Sequence, residues 1–172
     1  MPRRDTGAPS RLRIRDIRFR PIRPDDWRRL QRFHRRLSEG TVELRFHAAK
    51  RELSEPLAHH FTALDFANDY GIVATTGTRG RIVGVARYNR IDNTSAEVAF
   101  VIEDAYQHHG LGRKLMAHLV RAARRNGIAE FVAEVMPGNN AMMQLLREVG
   151  PARVRFDGCG YEVRVDLGDA PT

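Results

Sequence analysis

The stretch Gln107-His108-His109-Gly110-Leu111-Gly112-Arg113 decides how this chain is read. It follows a strand-like run, Glu97-Val98-Ala99-Phe100-Val101-Ile102, and opens a helix-like run from Leu111 to Asn126. A glycine-rich turn between strand and helix suits a pyrophosphate. Successive backbone N–H groups point out of the turn, and the first helical N–H groups have no intrahelical partner. The helix dipole adds partial positive charge at the same point. Gly110 and Gly112 lack the Cβ atoms that would hold a phosphate off the backbone. Gln107, His108, His109, Gly110, Leu111, Gly112 and Arg113 are therefore the expected cradle, with the two histidines flanking the phosphates.

The spacing narrows the kind of cradle. A dinucleotide-binding G-x-G-x-x-G loop needs a third glycine where Leu115 stands. A nucleotide P-loop needs Gly-Lys-Ser/Thr, which Gly112-Arg113-Lys114 does not supply.

Working outward, the order of elements can be read from periodicity and turn chemistry. Ile17 to Ile22 alternates apolar and polar residues as a half-buried strand does, and Pro24-Asp25-Asp26 supplies helix-start chemistry. Trp27, Leu30, Phe33, His34 and Leu37 follow at helical spacing as a core face. The segment from Leu37 to Lys50 has no clear period. A second helix is expected over Ser54 to about Leu64, with Leu57, Phe61 and Leu64 inward. Three strands come next, Gly71–Thr76, Arg81–Tyr88 and Ala96–Glu103, separated by hairpin-like turns. Leu111, Leu115, Leu119 and Ala122 form the stripe of the following helix, which ends at Asn126-Gly127. A strand at Glu130–Val135, a helix from the N-cap Asn139 to Val149, and a closing hairpin around Asp157-Gly158 complete the chain.

Length and composition set the class. At 172 residues, 42% hydrophobic and 29% charged, the chain fits one soluble globular domain. Residues 16–172 are expected to form it, with residues 1–15 as a flexible basic arm that lacks the apolar core of a secretory signal. No apolar run approaches a membrane span, and a single cysteine, Cys159, fits a reducing cytoplasm. The net charge of +8 comes almost entirely from arginine, since only Lys50 and Lys114 are lysines. Such an excess attracts polyanions, coenzyme A included, yet no zinc-finger spacing, RNP-type aromatic motif or basic heptad array points to specific nucleic-acid binding.

The pattern Gln107-x-x-Gly110-x-Gly112, in this strand-turn-helix setting, resembles the acetyl-CoA signature of the GNAT superfamily of N-acetyltransferases. The element order over Ile17 to Leu167 is similar to the same fold, an α+β arrangement with a mixed central β-sheet, a splayed cofactor strand and flanking helices. The resemblance implies that acetyl-CoA is the cosubstrate, and the spacing of the histidines gives no reason to expect a metal. It implies further that backbone groups at Phe100, Val101 and Ile102 pair with the pantetheine arm, and that Asn139 sits beside it or simply caps its helix. Finer matches are Ile22-Arg23-Pro24-Asp25-Asp26, Phe33-His34-Arg35-Arg36-Leu37-Ser38, Leu44-Arg45-Phe46 and Met136-Pro137-Gly138-Asn139-Asn140-Ala141-Met142. These resemble a branch of protein lysine acetyltransferases that act on acyl-CoA synthetases, often fused to large nucleotide-binding or cyclic-nucleotide-binding domains. No such regulatory domain is read in these 172 residues, so such control is expected to be external or missing.

Acetyl transfer to an amine needs a free amine, a positioned thioester and stabilisation of the oxyanion. A lysine amine with pKa ~10.4 costs roughly 4–5 kcal/mol to deprotonate at pH 7, part of which a general base offsets. Glu97 is the preferred base. The branch places a glutamate on the cofactor strand in a context that Ala96-Glu97-Val98-Ala99 matches. Strand alternation puts Glu97 with Ala99 and Val101 on a face that otherwise reads apolar, so a desolvated carboxylate is expected there. The alternatives are an edge glutamate that pairs with an arginine, and Glu134 as base. The acceptor is read as a protein lysine or a small-molecule amine, and the chain is compatible with a homodimer. The rival reading is a non-catalytic acyl-CoA-binding or nucleic-acid-binding module. It draws on Leu146, which stands where many family members carry a tyrosine general acid, and Gly150-Pro151 likewise replaces the commoner Gly-Phe. His59-His60 and His108-His109 lack ligand partners at metal spacing, Cys159 reads as a bystander thiol in a turn, and Tyr161 reads as a strand residue.

Overall fold

The computed structural model describes residues 16–46 and 52–168. The basic arm 1–15 and the end of the unread segment, 47–51, lie outside the described residues.

Strand β1 (Arg18–Pro21) leads through a 3₁₀ turn at Pro24–Asp26 into helix α1 (Trp27–Arg36). Asp26 anchors this corner. Its fully buried carboxylate accepts from both Arg20 guanidinium nitrogens (2.6 and 2.8 Å), from the Arg23 N–H (2.9 Å) and from Arg29 (3.3 Å). Burial alone would raise its pKa, but Arg20 and the Arg23 N–H hold it below the usual carboxylate value. Leu30, Phe33, His34 and Leu37 are buried as expected, while Trp27 is half-buried.

The segment without a readable period folds as helix α2 (Glu39–Phe46). Its start is fixed from outside: Asp104 accepts from the Ser38 N–H (3.0 Å), the Ser38 hydroxyl (2.6 Å) and the Thr41 hydroxyl (2.9 Å). Helix α3 (Glu55–Thr62) starts at the N-cap Ser54, which accepts from the Leu57 N–H. The inward face of α3 differs from expectation. Leu57 is 43% exposed, whereas Ala58 and Thr62 are fully buried, because the Thr62 hydroxyl satisfies itself on the Ala58 carbonyl and lets the helix sit closer.

Strands β2 (Asp69–Thr76), β3 (Arg81–Arg90) and β4 (Ser95–Ile102) form an antiparallel meander. Helix α4 (Leu111–Arg125), strand β5 (Glu130–Val135), helix α5 (Asn140–Val149) and the hairpin β6 (Ala152–Phe156) and β7 (Tyr161–Asp166) follow in the order read from the sequence. The seven strands form one mixed sheet in the order β1-β2-β3-β4-β5-β7-β6. The Asn126 cap also donates through Nδ2 to the Tyr88 hydroxyl (2.6 Å) and the Phe66 carbonyl (2.8 Å).

Alternation along the strands divides the core between two faces. Ala86, Val98, Leu111, Leu115, Leu119, Phe131 and Leu146 pack on the α4/α5 side. Ile22, Leu30, Phe33, Leu37, Val73 and Val85 pack on the α1–α3 side. The Gly150-Pro151 corner packs without a following aromatic residue. A Cβ at Gly150 would lie 2.2 Å from the Asp166 carbonyl oxygen, so glycine is required there by close backbone approach. Among the described residues no helix is long and apolar enough to cross a membrane.

Candidate active site

Strands β4 and β5 run parallel, and their ladder lasts only from Ser95–Glu130 to Glu97–Val132. Beyond Glu97, β4 stays paired with β3 through Ile102, while β5 is held by β7 along its whole length. The two strands therefore part, and the β5-facing edge of β4 from Val98 to Ile102 lines a cleft instead of a neighbouring strand. Unpaired backbone groups at such an edge are ready to accept another extended segment.

At the wide end of the cleft stands the turn between β4 and α4. Gly110 occupies the N-cap of α4 with φ +78°, a left-handed conformation, and makes no side-chain cap. The first turn of α4 carries no acidic residue, so its free N–H groups and positive dipole face the cleft uncompensated. His108 also has positive φ (61°), rare outside glycine, so the turn bends sharply just before α4. Gly112 is different. A Cβ there would meet only the Ile102 and Leu145 side chains, both at an ordinary 3.5 Å. The fold tolerates a small side chain at Gly112, and the open space above it is the cleft.

The cleft, about 380 Å³, is lined by ten of the eleven residues expected to hold the cofactor: Phe100, Val101, Ile102, Gln107, His108, Gly110, Leu111, Gly112, Arg113 and Asn139. His109 is exposed and not among its lining residues. The Gln107 amide donates to the Ile102 carbonyl (3.0 Å) and the Thr41 hydroxyl (3.1 Å), so it braces the turn against α2. Arg113 makes a bidentate pair with Glu148 of α5 (2.6 and 2.7 Å), which pulls the Glu148 carboxyl down to about 2. Asn139 caps α5 by accepting from the Met142 N–H (3.2 Å). Leu146 is fully buried beneath the cleft and offers no proton.

A second recess continues past the narrow end, lined by Glu97, Ala99 and Glu134, and shares Leu44, Arg45, Phe100, Asn139 and Met142 with the wide cleft. Both candidate carboxylates thus stand where a thioester held along β4 would end. The expected desolvation of Glu97 is corrected: it is exposed. Alternation does put it on the α1–α3 face, but the helices cover that face only as far as Ala99 and Val101. Among the described residues Glu97 makes no ion pair within 4 Å, so the edge-pairing alternative has no partner there. Its charge is still felt by Arg45 and Arg87. Burial and then the like charge of Arg87 push Arg45 down to about 10, and burial lowers Arg87, with Asp69 and Glu97 opposing.

Thr41, Leu44 and Arg45 of α2, together with Tyr106, Met142 and Leu145, also line the cleft and were not among the residues expected to hold the cofactor. Only α2 could have signalled the first three, and its faces lack the apolar contrast that marks an amphipathic helix. Cys159 lies exposed in its turn. Among the described residues, no group of three or more potential ligands could hold a metal ion.

The acetyltransferase (GNAT) family matches residues 27–150, which span the parted strands and the whole turn. The chain belongs to the acetyltransferase (GNAT) family. Its enzymes move an acetyl group from acetyl-CoA to an amine. Among relatives, acetyltransferase Pat of Mycolicibacterium smegmatis is 32% identical over 156 residues, covering 90% of this chain and 46% of that protein. The chain thus spans about half the length of that relative. Acetyltransferase PA5475 of Pseudomonas aeruginosa is 33% identical over 139 residues, 79% of this chain and 75% of that one. Of solved structures, the GNAT domain of S. lividans PAT superposes with a TM-score of 0.81 at 35% identity, covering 88% of this chain and 90% of that domain. The GNAT fold and the likeness to Pat proteins expected from the sequence are both borne out.

Proposed function

We propose that the chain transfers acetyl from acetyl-CoA to the ε-amine of a protein lysine, by direct attack in a ternary complex with Glu97 as general base. The observation that carries this reading is the continuity of the site. The phosphate-type turn, the open edge of β4 and the Glu97 recess form one path through the parting of β4 and β5.

The pyrophosphate of acetyl-CoA rests on the N–H groups at Gly110, Leu111 and Gly112, and its pantetheine arm pairs with β4 at Phe100, Val101 and Ile102. The thioester then ends near Glu97. The incoming lysine covers the exposed Glu97 carboxylate and removes it from water, which strengthens it as an acceptor of the ammonium proton. The free amine attacks the thioester carbonyl, and the departing thiolate takes its proton from solvent, since Leu146 lies in the core. The choice of a protein lysine rests on the likeness to Pat proteins. On this reading the catalytic domain is residues 16–172 and it works in the cytoplasm. Incubating the purified protein with labelled acetyl-CoA and a cell extract tests the reading. Label is expected on protein lysines; label only on small molecules would refute the protein acceptor.

A further inference from the structure

The core on the α1–α3 side is not closed. Behind the cleft lies a pocket of about 40 Å³, with Leu30, Phe33, Phe61, Val85, Ala99 and Val101 in its wall. Folded cores leave few voids larger than one water molecule, and each void forfeits the contacts its walls would have made. One water needs roughly 10–15 Å³ of such space, so this pocket holds about three groups of that size, and a methylene is one such group. An apolar void of that size beside a binding cleft calls for an occupant.

The place of the pocket in the fold says where that occupant comes from. Val101 borders the cleft and also packs against the α1–α3 core. Ala99 lines both the pocket and the Glu97 recess, and Arg45 borders all three spaces. The pocket therefore meets the cleft and the recess at the stretch of β4 where the thioester is proposed to end. Neither Glu97 nor Glu134 lines it. Its polar lining residues are His34, Arg45 and Arg87. His34 and Arg45 make interactions of their own within the protein, and the Arg87 guanidinium carbon lies 4.5 Å from the centre of the Phe61 ring. What the pocket offers a newcomer is mainly apolar wall. The rival occupant is a water on the Arg87 Nε, which is buried without a hydrogen-bond partner.

We propose that this pocket receives the tail of the donor's acyl group, so that the chain takes acyl-CoA donors of three or four carbons as well as acetyl-CoA. The CoA part stays in the cleft, and the carbons beyond the acetyl methyl pass Ala99 and Val101 into the pocket. The two extra methylenes of a butyryl group fit the volume, whereas the four of a hexanoyl group exceed it. The reaction keeps its balance with the longer tail. The amine nitrogen bonds to the thioester carbonyl carbon, the C–S bond breaks, one proton leaves the nitrogen, and CoA departs as the thiol. This inference rests on the donor placement proposed above and not on the lysine acceptor.

Calorimetry of CoA, acetyl-CoA, propionyl-CoA, butyryl-CoA and hexanoyl-CoA, with no acceptor present, tests it. Each buried methylene should tighten binding about fourfold, so butyryl-CoA is expected to bind roughly fifteenfold more tightly than acetyl-CoA, with no further gain at hexanoyl-CoA. Val85 lines the pocket but neither the cleft nor the recess. Val85→Phe fills the pocket and should bring butyryl-CoA down to the affinity of acetyl-CoA, with CoA and acetyl-CoA unaffected. Val85→Ala widens it and should let hexanoyl-CoA gain. Melting curves verify each fold, and the wild-type series decides without either variant. Butyryl-CoA no tighter than acetyl-CoA in the wild type, or a gain that persists in folded Val85→Phe, overturns the proposal and leaves the pocket to a water or to the acceptor. A gain that continues undiminished to hexanoyl-CoA overturns it too, because the tail then lies outside the pocket. Equal affinity for CoA and every acyl form leaves the donor cleft standing while the pocket assignment falls. No CoA binding at all ends both.

Discussion

The two ends of the cleft are built from different materials. The donor end is backbone: a left-handed Gly110, a positive-φ His108, the open start of α4 and the unpaired edge of β4. Its side chains mostly brace the frame, as Gln107 does against Thr41 and Arg113 against Glu148. The end proposed for the acceptor is side chain: Glu97 from β4, Glu134 from β5, Arg45 from α2 and Arg87 from β3. A backbone site depends on local conformation and tolerates most changes of sequence around it. A site made of side chains from four elements depends on each of them and is free to vary with the acceptor.

If that contrast is right, mutations should separate the two ends. The largest effect is expected for Glu97→Gln, which keeps the shape but cannot take a proton. Turnover should fall by roughly 10²–10⁴ with acetyl-CoA affinity nearly constant, and raising the pH should partly restore the rate by freeing the amine. Steady-state kinetics beside calorimetry would show it. Wild-type turnover at neutral pH would remove Glu97 from the mechanism and turn attention to Glu134, which shares its recess.

Gly112→Glu should do the reverse. A carboxylate set against the pyrophosphate costs several kcal/mol, so acetyl-CoA affinity should drop at least ~100-fold. The melting temperature should hold, because the neighbours of a Cβ there stand at 3.5 Å. Gly112→Ala, by the same geometry, should melt as the wild type does. Unchanged affinity in a folded Gly112→Glu protein would sink the donor assignment.

Away from both ends, Asp26→Asn should destabilise the fold by about 3 kcal/mol, since it leaves Arg20 without its buried anion. Urea denaturation measures this. The Asp26 pKa is depressed in the folded state, so its contribution is complete above the unfolded value of ~3.9 and fades as pH falls through the folded one. The gap between wild type and variant should therefore be flat at neutral pH and shrink only in acid. A gap that closes near pH 6 would contradict the assignment. A smaller effect is expected at Gly110→Ala: nothing lies within 4 Å of a Cβ there, so only the backbone penalty at φ +78° applies, about 1–2 kcal/mol in a melting experiment. A cost well above that would mean the turn holds the fold as well as the cofactor.

How well each part could be read follows the same division. The start of α3 at Ser54, the end of α4 at Asn126-Gly127 and strand β5 at Glu130–Val135 lie where local chemistry puts them. Helix α2 was not legible because Asp104, more than sixty residues away in sequence, supplies the partner for its first turn. Leu57 was placed inward because periodicity weighs size, whereas packing against α1 and the Pro24–Asp26 turn favoured the smaller Ala58 and Thr62. Glu97 was placed on the right face but wrongly thought covered, since alternation fixes direction and says nothing of how far the helices reach.

What this sequence determined by itself is whatever depends on neighbours along the chain: the order of strands and helices, their caps, and a turn whose glycines and free N–H groups suit a pyrophosphate. Only the tertiary structure decided where β4 and β5 part, which residues of α2 reach the cleft, and that Arg45 and Arg87 line one small pocket. The reason is physical. Backbone conformation answers to a few adjacent residues, whereas the position of a side chain in a cleft depends on the packing of every element that surrounds it.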